Sequence, residues 1–464
     1  MGKLSPANLK KTIYYLKRNG LRDTWYAAQE RLVTTDFYTY DPPAEEVLEQ
    51  QRKQAAEWKE TGEVVTFSLL VPAYRTDPVY LQELVESVQA QTYPFWELIL
   101  ADATEDDSVA HVTADLVEKL RETDSGIDGK IRYYKLPENK GISENTNQAL
   151  AHATGDYVGL LDHDDLLTPD ALFEMADEIR RLQEERGIRL AFLYSDEDKC
   201  DGRGIRFYEP NLKEKFNYDL LLSNNYICHF LVIKRELLQQ LGFRPAYDGA
   251  QDYDLLLRVV AALGLDREPA KEKFVAHISK VLYHWRCHGT STAENPQSKT
   301  YAYEAGRRAL EAYLEENGLQ GEVRSLKHVG FYEVKYPQEI FTIRKDLGAV
   351  GGPVVRRGRI IGGRMKSSGK VYYENLPIHY SGYLHRAVLT QDARAVDIRN
   401  IRLRKELREL FEQVTGVPYR CQPGTDLFDA STLPKNTDHK NISMELCRAI
   451  RKQGYRILWR REDE

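Results

Sequence analysis

The run Leu160-Leu161-Asp162-His163-Asp164-Asp165 ends an apolar stretch on closely spaced carboxylates, hard oxygen donors of the kind that hold Mg²⁺ or Mn²⁺ and so neutralise a diphosphate. Taken alone it is equally a solvated acidic loop. Thr168-Pro169-Asp170 just beyond it has the make-up of a helix start, with an N-cap, a Pro in the first turn and an acid near the positive end of the dipole. Further on, Gln251-Asp252-Tyr253-Asp254 opens an amphipathic segment, and on a helix two acids at that spacing point to different sides. Asp196, Glu197 and Asp198 follow the apolar Leu190-to-Tyr194 run, as loop acids or as ligands for sugar hydroxyls. Tyr283-His284-Trp285-Arg286-Cys287-His288 brings two imidazoles, which can complete a metal shell when neutral.

Something must hold these groups together. From Val64 onward, short apolar runs (VVTFSLLVPAY, ELILADA, IRYYKL, YVGLLDHDD) alternate with amphipathic stretches (VYLQELVESVQAQ, VTADLVEKLRE, ENTNQALAHATG). That alternation predicts an α/β fold with a largely parallel sheet flanked by helices. Ligands in such sheets bind beyond the carboxyl ends of the strands, where Pro72-Ala73-Tyr74-Arg75, Asp102 and Asp162-His163-Asp164 are expected to lie. Lys140-Gly141 falls between a strand and a helix, either as an ordinary turn or as a place where free amides face an anion.

Helical patterns with Gly stops at Gly20 and Gly62 fill the start of the chain, and a strongly helical segment ends near residue 320. The expected organisation is a helical extension over 1–62, a main domain over 63–320 and a smaller α+β accessory region over 321–464.

The 464 residues are 42% hydrophobic and 29% charged, with a net charge of -6, which argues against disorder and against nucleic acid as the main partner. The five scattered cysteines show no CxxC pair and read as reduced thiols. No apolar stretch reaches membrane-spanning length, and the expectation is a cytoplasmic protein. Residues 1–22 carry Lys3, Lys10, Lys11, Lys17, Arg18 and Arg22 and no acid, interleaved with Ile13, Tyr14, Tyr15 and Leu16. They form either a helix lying on anionic lipid or one packed on its own protein with a solvated basic face.

The order of VPAYRTDPVYLQELVESVQAQTYPFWELILADA, ENKGISENTNQALAHATGDYVGLLDHDDLLTPDAL, YSDEDK, GAQDYDLLLR and YHWRCHGTSTA resembles the family 2 glycosyltransferases, whose fold is GT-A. The chain departs from that family at ADATEDD, where a pair of acids followed by Gly and Ser is common. The resemblance implies that Pro72, Ala73, Tyr74 and Arg75 border a nucleotide whose base bonds to Asp102. It places Asp162 and His163 at the ribose and Lys140 and Gly141 near the phosphates. Asp164 would bind Mn²⁺ or Mg²⁺ with His284 completing the shell, and Asp252 would be the general base. Asp198, Gln251, Trp285 and Arg286 would face sugar or acceptor.

The function so implied is inverting, metal-assisted transfer from a UDP- or dTDP-sugar to a hydroxyl of a glycan or lipid-linked glycan. Its setting would be synthesis of a bacterial surface polysaccharide at the inner membrane face, with residues 1–22 as a peripheral contact. Sugar-phosphate nucleotidyltransfer would need a Gly-rich phosphate loop that VPAYRTDP does not supply. A glycan-binding or scaffold protein descended from a transferase is opposed by the joint presence of Asp162, Asp164 and Asp252.

The last region contains a fainter echo. VIKRELLQQL recurs as RLRKELRELF, and QDYDLLLRVVAALG aligns with NISMELCRAIRKQG, setting Ile442 at the place of Asp252 and Met444 at that of Asp254. Together with AVGGPVVRRGRIIGG, this reads as a truncated second GT-A unit without a base, available for bracing, self-association or glycan binding.

Overall fold

The computed structural model describes residues 6–33, 38–123, 125–288 and 300–461. Its first elements are α1 (Pro6–Val33), interrupted at Gly20 with φ 77°, and α2 (Glu45–Thr61), closed by left-handed Gly62. The main domain then runs β1 (Phe67–Ala73), α3 (Pro78–Gln89), β2 (Trp96–Asp102), α4 (Ser108–Thr123), β3 (Ile131–Lys135), α5 (Ile142–Leu150), β4 (Tyr157–Leu160), β5 (Leu166–Leu167) and α6 (Ala171–Arg186). It continues through β6 (Phe192–Asp201), β7 (Phe207–Asn211), α7 (Tyr218–Ser223), β8 (Leu231–Lys234), α8 (Arg235–Leu241), α9 (Gln251–Leu263), β9 (Val275–Cys287) and α10 (Thr300–Glu316).

The nine strands form one sheet in the order β3-β2-β1-β4-β8-β6-β9-β5, with β7 beside β6. β1 to β4 run parallel, β6 and β9 run parallel to each other, and β8 lies antiparallel between β4 and β6. The central strands are apolar on both faces because both are covered. Leu70, Ile99 and Ile233 pack under α5, α9 and α10, while Leu69, Leu98 and Val232 pack under α3 and α6. Gly159 of β4 makes room for its neighbours, since a Cβ there would lie 2.8 Å from the side chains of both Leu69 and Phe230 and one of them would have to shift.

The chain then forms a hairpin of β10 (Glu322–Ser325) and β11 (Tyr332–Lys335), followed by α11 (Ile340–Ile343), β12 (Leu347–Gly351), β13 (Val354–Arg356), β14 (Arg359–Gly362), β15 (Gln391–Asp392), β16 (Ile401–Leu403), α12 (Arg408–Thr415), α13 (His439–Lys452) and β17 (Arg456–Trp459). The second sheet has the order β15-β17-β12-β16 and a core of its own around Phe411, Phe428, Leu446 and Ile450. Its β12 is antiparallel to β16 and parallel to β17, as β6 is antiparallel to β8 and parallel to β9. Two helices join the outer strands in each case, and the later helix of each pair is followed by a left-handed glycine, Gly264 (φ 70°) or Gly454 (φ 87°).

Buried charge joins the two regions. Arg344 reaches Asp219 of α7 at 2.6 Å and Asp346 at 2.8 Å, and Arg456 of β17 reaches Asp346 at 3.0 Å and Glu272 at 2.7 Å. Arg344→Met would leave Asp219 without its cation and Asp346 with only Arg456, in a site that excludes water. Unfolding in urea should therefore show a loss of about 3 to 5 kcal/mol.

Candidate active site

The strand registers assemble the site. In the antiparallel β4–β8 ladder Gly159 faces Val232, and the same register carried past the strand ends sets Asp162 opposite His229. Their Oδ2 and Nε2 atoms lie 3.8 Å apart. In the β6–β8 ladder Tyr194 faces Leu231, which carried on sets Glu197 opposite Cys228. Glu197 Oε2 accepts the backbone N–H of His229 at 2.9 Å and lies 3.2 Å from its Nδ1. The imidazole stacks on Tyr283 at 4.7 Å, with Trp285 at 5.7 Å.

Glu197 is buried, which disfavours its charge, but Lys213, His229 and Asn211 hold its pKa at about 2. Burial likewise disfavours charge on His229, yet its pKa is raised. The groups that raise it are Cys228 beside it and then Glu197, and Cys228 is itself pushed up to about 11 by burial.

Asp252 opens α9, half-buried, with its carboxylate accepting from Asn225 Nδ2 at 2.6 Å and from the Tyr253 N–H at 2.8 Å. Burial raises its pKa above the ordinary carboxylate range, with His229 opposing the shift. Asp254 points the other way, fully buried between Arg244 and Arg258. A helix start explains the division, because successive acids there face groove and core in turn.

The three acids after β4 have different tasks. Asp164 Oδ2 is 2.7 Å from His288 Nε2, at the point where the chain leaves β9. Asp165 is buried and accepts from the Tyr283 hydroxyl at 2.5 Å and from the Arg286 N–H at 2.7 Å. Two triads bring possible ligand atoms within 4.8 Å of one another, Asp162–Asp165–His229 and Glu197–Cys228–His229. Asp165 and Glu197 already have partners of their own, and His229 is the residue common to both triads; Asp164 and His288 form a separate pair beside them.

Several expectations are corrected by this geometry. His284, expected at the metal, is buried in the sheet directly opposite Asp198. Its Nδ1 lies 2.5 Å from Asp198 Oδ1, and Tyr40 and Phe207 cover the ring. Asp198, expected to meet sugar or acceptor, is fully buried and also accepts from Tyr38. Arg286, expected to face substrate, is fully buried and braces the acidic turn through the Asp164 carbonyl, with Glu83 and the Tyr80 ring on its other sides.

Asp102 ends β2 fully buried, its Oδ1 accepting from the Thr104 N–H and its Oδ2 from Tyr133 and Lys135. The α5 start at Gly141 is already filled by an anion of the chain itself, since the Ser143 N–H donates to Asp248 at 3.2 Å. Lys140 turns outward to Glu138. Lys140 and Gly141 therefore tie α5 to the loop before α9 and do not form a phosphate cradle.

Other expected residues lie at the same strand ends and helix starts. Pro72 and Ala73 end β1, and Tyr74 and Arg75 stand on the rim, both bonded to Glu105. Trp285 borders His229, and Gln251 starts α9 next to Asp252, accepting from the Gly249 N–H. His163 is partly exposed between the two acids, its Nδ1 buried without a hydrogen bond. His229, Asn225 and His288 complete the set.

Residues 68–242 match the model of Glycosyl transferase family 2. The chain is similar to protein y4gI of Sinorhizobium fredii, at 39% identity over 249 residues, covering 53% of this chain and 25% of that protein. It is similar to the O-antigen biosynthesis protein RfbC of Myxococcus xanthus, at 35% identity, covering 58% and 20%. It is also similar to the putative teichuronic acid biosynthesis glycosyltransferase TuaG of Bacillus subtilis, at 29% identity, covering 45% and 79%. The chain thus matches about a quarter or less of the length of the first two of these relatives.

Proposed function

We propose that the chain, whose residues 68–242 match the model of Glycosyl transferase family 2, transfers a sugar from a uridine or thymidine diphosphate donor to a hydroxyl of a growing surface glycan, inverting the anomeric centre. The observation that carries this reading is that the end of β4 brings Asp162 beside His229 and within electrostatic reach of Asp252 at the start of α9, with Asp164 two residues further along the same turn.

Asp252 removes the acceptor hydroxyl's proton at its carboxylate. Asn225 and the Tyr253 N–H fix that carboxylate while leaving each oxygen a second lone pair. Attack from the side opposite the departing diphosphate gives inversion. Tyr74 and Arg75 bind the nucleotide at the rim, and His229 places a cation beside Asp162.

The donor set fits Mn²⁺ or Mg²⁺, because two carboxylates and one imidazole face outward while the neighbouring acids are occupied. Asp164 and His288 would hold the ion with Asp162 alongside, and when bound it would neutralise charge on the leaving diphosphate. His288→Ala should then weaken metal-dependent nucleotide binding by about tenfold or more. His284→Ala should instead lower the melting temperature and leave that binding near the wild-type value.

No described helix is long and apolar enough to cross a membrane. Lys3 lies outside the described residues, but α1 exposes Ile13, Leu21 and Trp25 alongside Lys17, Arg18 and Arg22, which supports a contact with anionic lipid as part of this proposal. The C-terminal region is proposed as a truncated second unit that braces the first.

Incubation with UDP-, dTDP- and GDP-sugars plus surface-polysaccharide fragments tests the reading. It predicts acceptor-dependent release of one nucleoside diphosphate and a product anomer opposite to the donor's. Retention of configuration, or failure of every donor, would refute it.

A further inference from the structure

We infer that the C-terminal region contains a second binding site, an anion groove on α13 that takes a diphosphate-type ligand. The groove encloses about 230 Å³ and is lined by Arg394, Met444, Arg448, Arg451 and Lys452. The four cations are exposed, and none pairs with a carboxylate among the described residues. They converge in a chain whose net charge is -6.

Comparison with α9 shows how the cluster arose. When the segments ending in Gly264 and Gly454 are superposed by sequence, Asp254 stands where Met444 does and Arg258 where Arg448 does. In α9 that pair is closed on itself, Arg258 to Asp254 at 2.8 Å. In α13 the acid is gone, so Arg448 is released. Ala261 and Ala262 are replaced by Arg451 and Lys452, and Arg394 joins from the segment after β15.

Cations at the C-terminal end of a helix do favour the dipole, but that does not account for Arg394, which belongs to another element, or for the loss of the acid facing Arg448. Two or more guanidinium forks around one small groove are suited to paired phosphate oxygens. The ligand is a diphosphate group, either free in solution or carried on a lipid surface. The site stands independently of the transfer reaction proposed above.

The test titrates the full chain with inorganic pyrophosphate in EDTA and measures co-sedimentation with vesicles containing phosphatidylglycerol, against phosphatidylcholine alone. Arg448→Ala/Arg451→Ala and Met444→Asp, the latter restoring the acid found in α9, should each weaken pyrophosphate binding at least about tenfold, the effect of losing a charge-assisted hydrogen bond. Asp164→Ala should leave it unchanged. If only binding to anionic vesicles falls in both variants while pyrophosphate binding stays at the wild-type value, the cluster is a general contact for anionic surfaces and the diphosphate site is overturned. If both variants match the wild type in both arms, with unaltered melting, the inference is overturned.

Discussion

Asp252→Asn should reduce the transfer rate about a thousandfold, roughly 4 kcal/mol in barrier height, while nucleotide binding stays close to wild type. The amide keeps the shape and can still meet Asn225, but it cannot accept the hydroxyl proton. The pH profile carries the same information. Only the ionised carboxylate is a base, and burial raises its pKa, so the acid limb of kcat/KM should lie above the ordinary carboxylate range and disappear in the variant's residual rate. A folded pKa raised above the unfolded one means that this group's stabilisation is present at low pH and is lost as pH rises through the folded value. The Asn variant should therefore be at least as stable as wild type at neutral pH. A variant that melted early would show that Asp252 holds the fold and is not poised against it.

Asp164→Ala should abolish metal-dependent transfer, with a loss of about a hundredfold to a thousandfold, the scale on which groups that stabilise developing charge act. The difference from Asp252→Asn lies in the binding step: here nucleotide affinity falls with the rate, since His288 is left without its carboxylate. Asp165→Ala should give a different picture, a drop in melting temperature, because Tyr283 and the Arg286 N–H both lose their acceptor.

The parallel strands and the residues that follow them were legible in the sequence, because a parallel strand delivers its site residues after its apolar run. Asp162 and Asp164 after β4 and Tyr74 and Arg75 after β1 are of this kind. His229 and Asn225 were not, for the converse reason: β8 is antiparallel, so its site residues precede the strand. The polar stretch Asn224-Asn225 and His229 before Phe230-Leu231-Val232-Ile233 was the available signal.

The choice between His284 and His288 depended on the β6–β9 register, which sets His284 against Asp198, and on Tyr38 and Tyr40, which arrive from the N-terminal extension to cover that pair. Contacts so distant in sequence leave no local trace. The same holds for Asp248, whose carboxylate fills the α5 start from the far side of the fold.

The C-terminal sheet shows how a sequence echo acquires structural content. Two short similar segments could reflect composition alone, as basic amphipathic helices resemble one another. The strand order β16-β12-β17, with the same senses as β8-β6-β9 and the same two-helix connection, is a topological correspondence that composition does not produce. The same alignment sets Ile442 at the place of Asp252, which is why the C-terminal unit is proposed to brace the first.

The most direct test of the account is calorimetric titration of the full chain with UDP, dTDP and GDP, with and without Mn²⁺, for wild type and Asp164→Ala. The account predicts that one nucleotide binds tightly only with the metal and that Asp164→Ala removes this dependence. Binding of no nucleotide by the wild type under either condition would contradict it and leave a glycan-binding protein built on a transferase fold in its place.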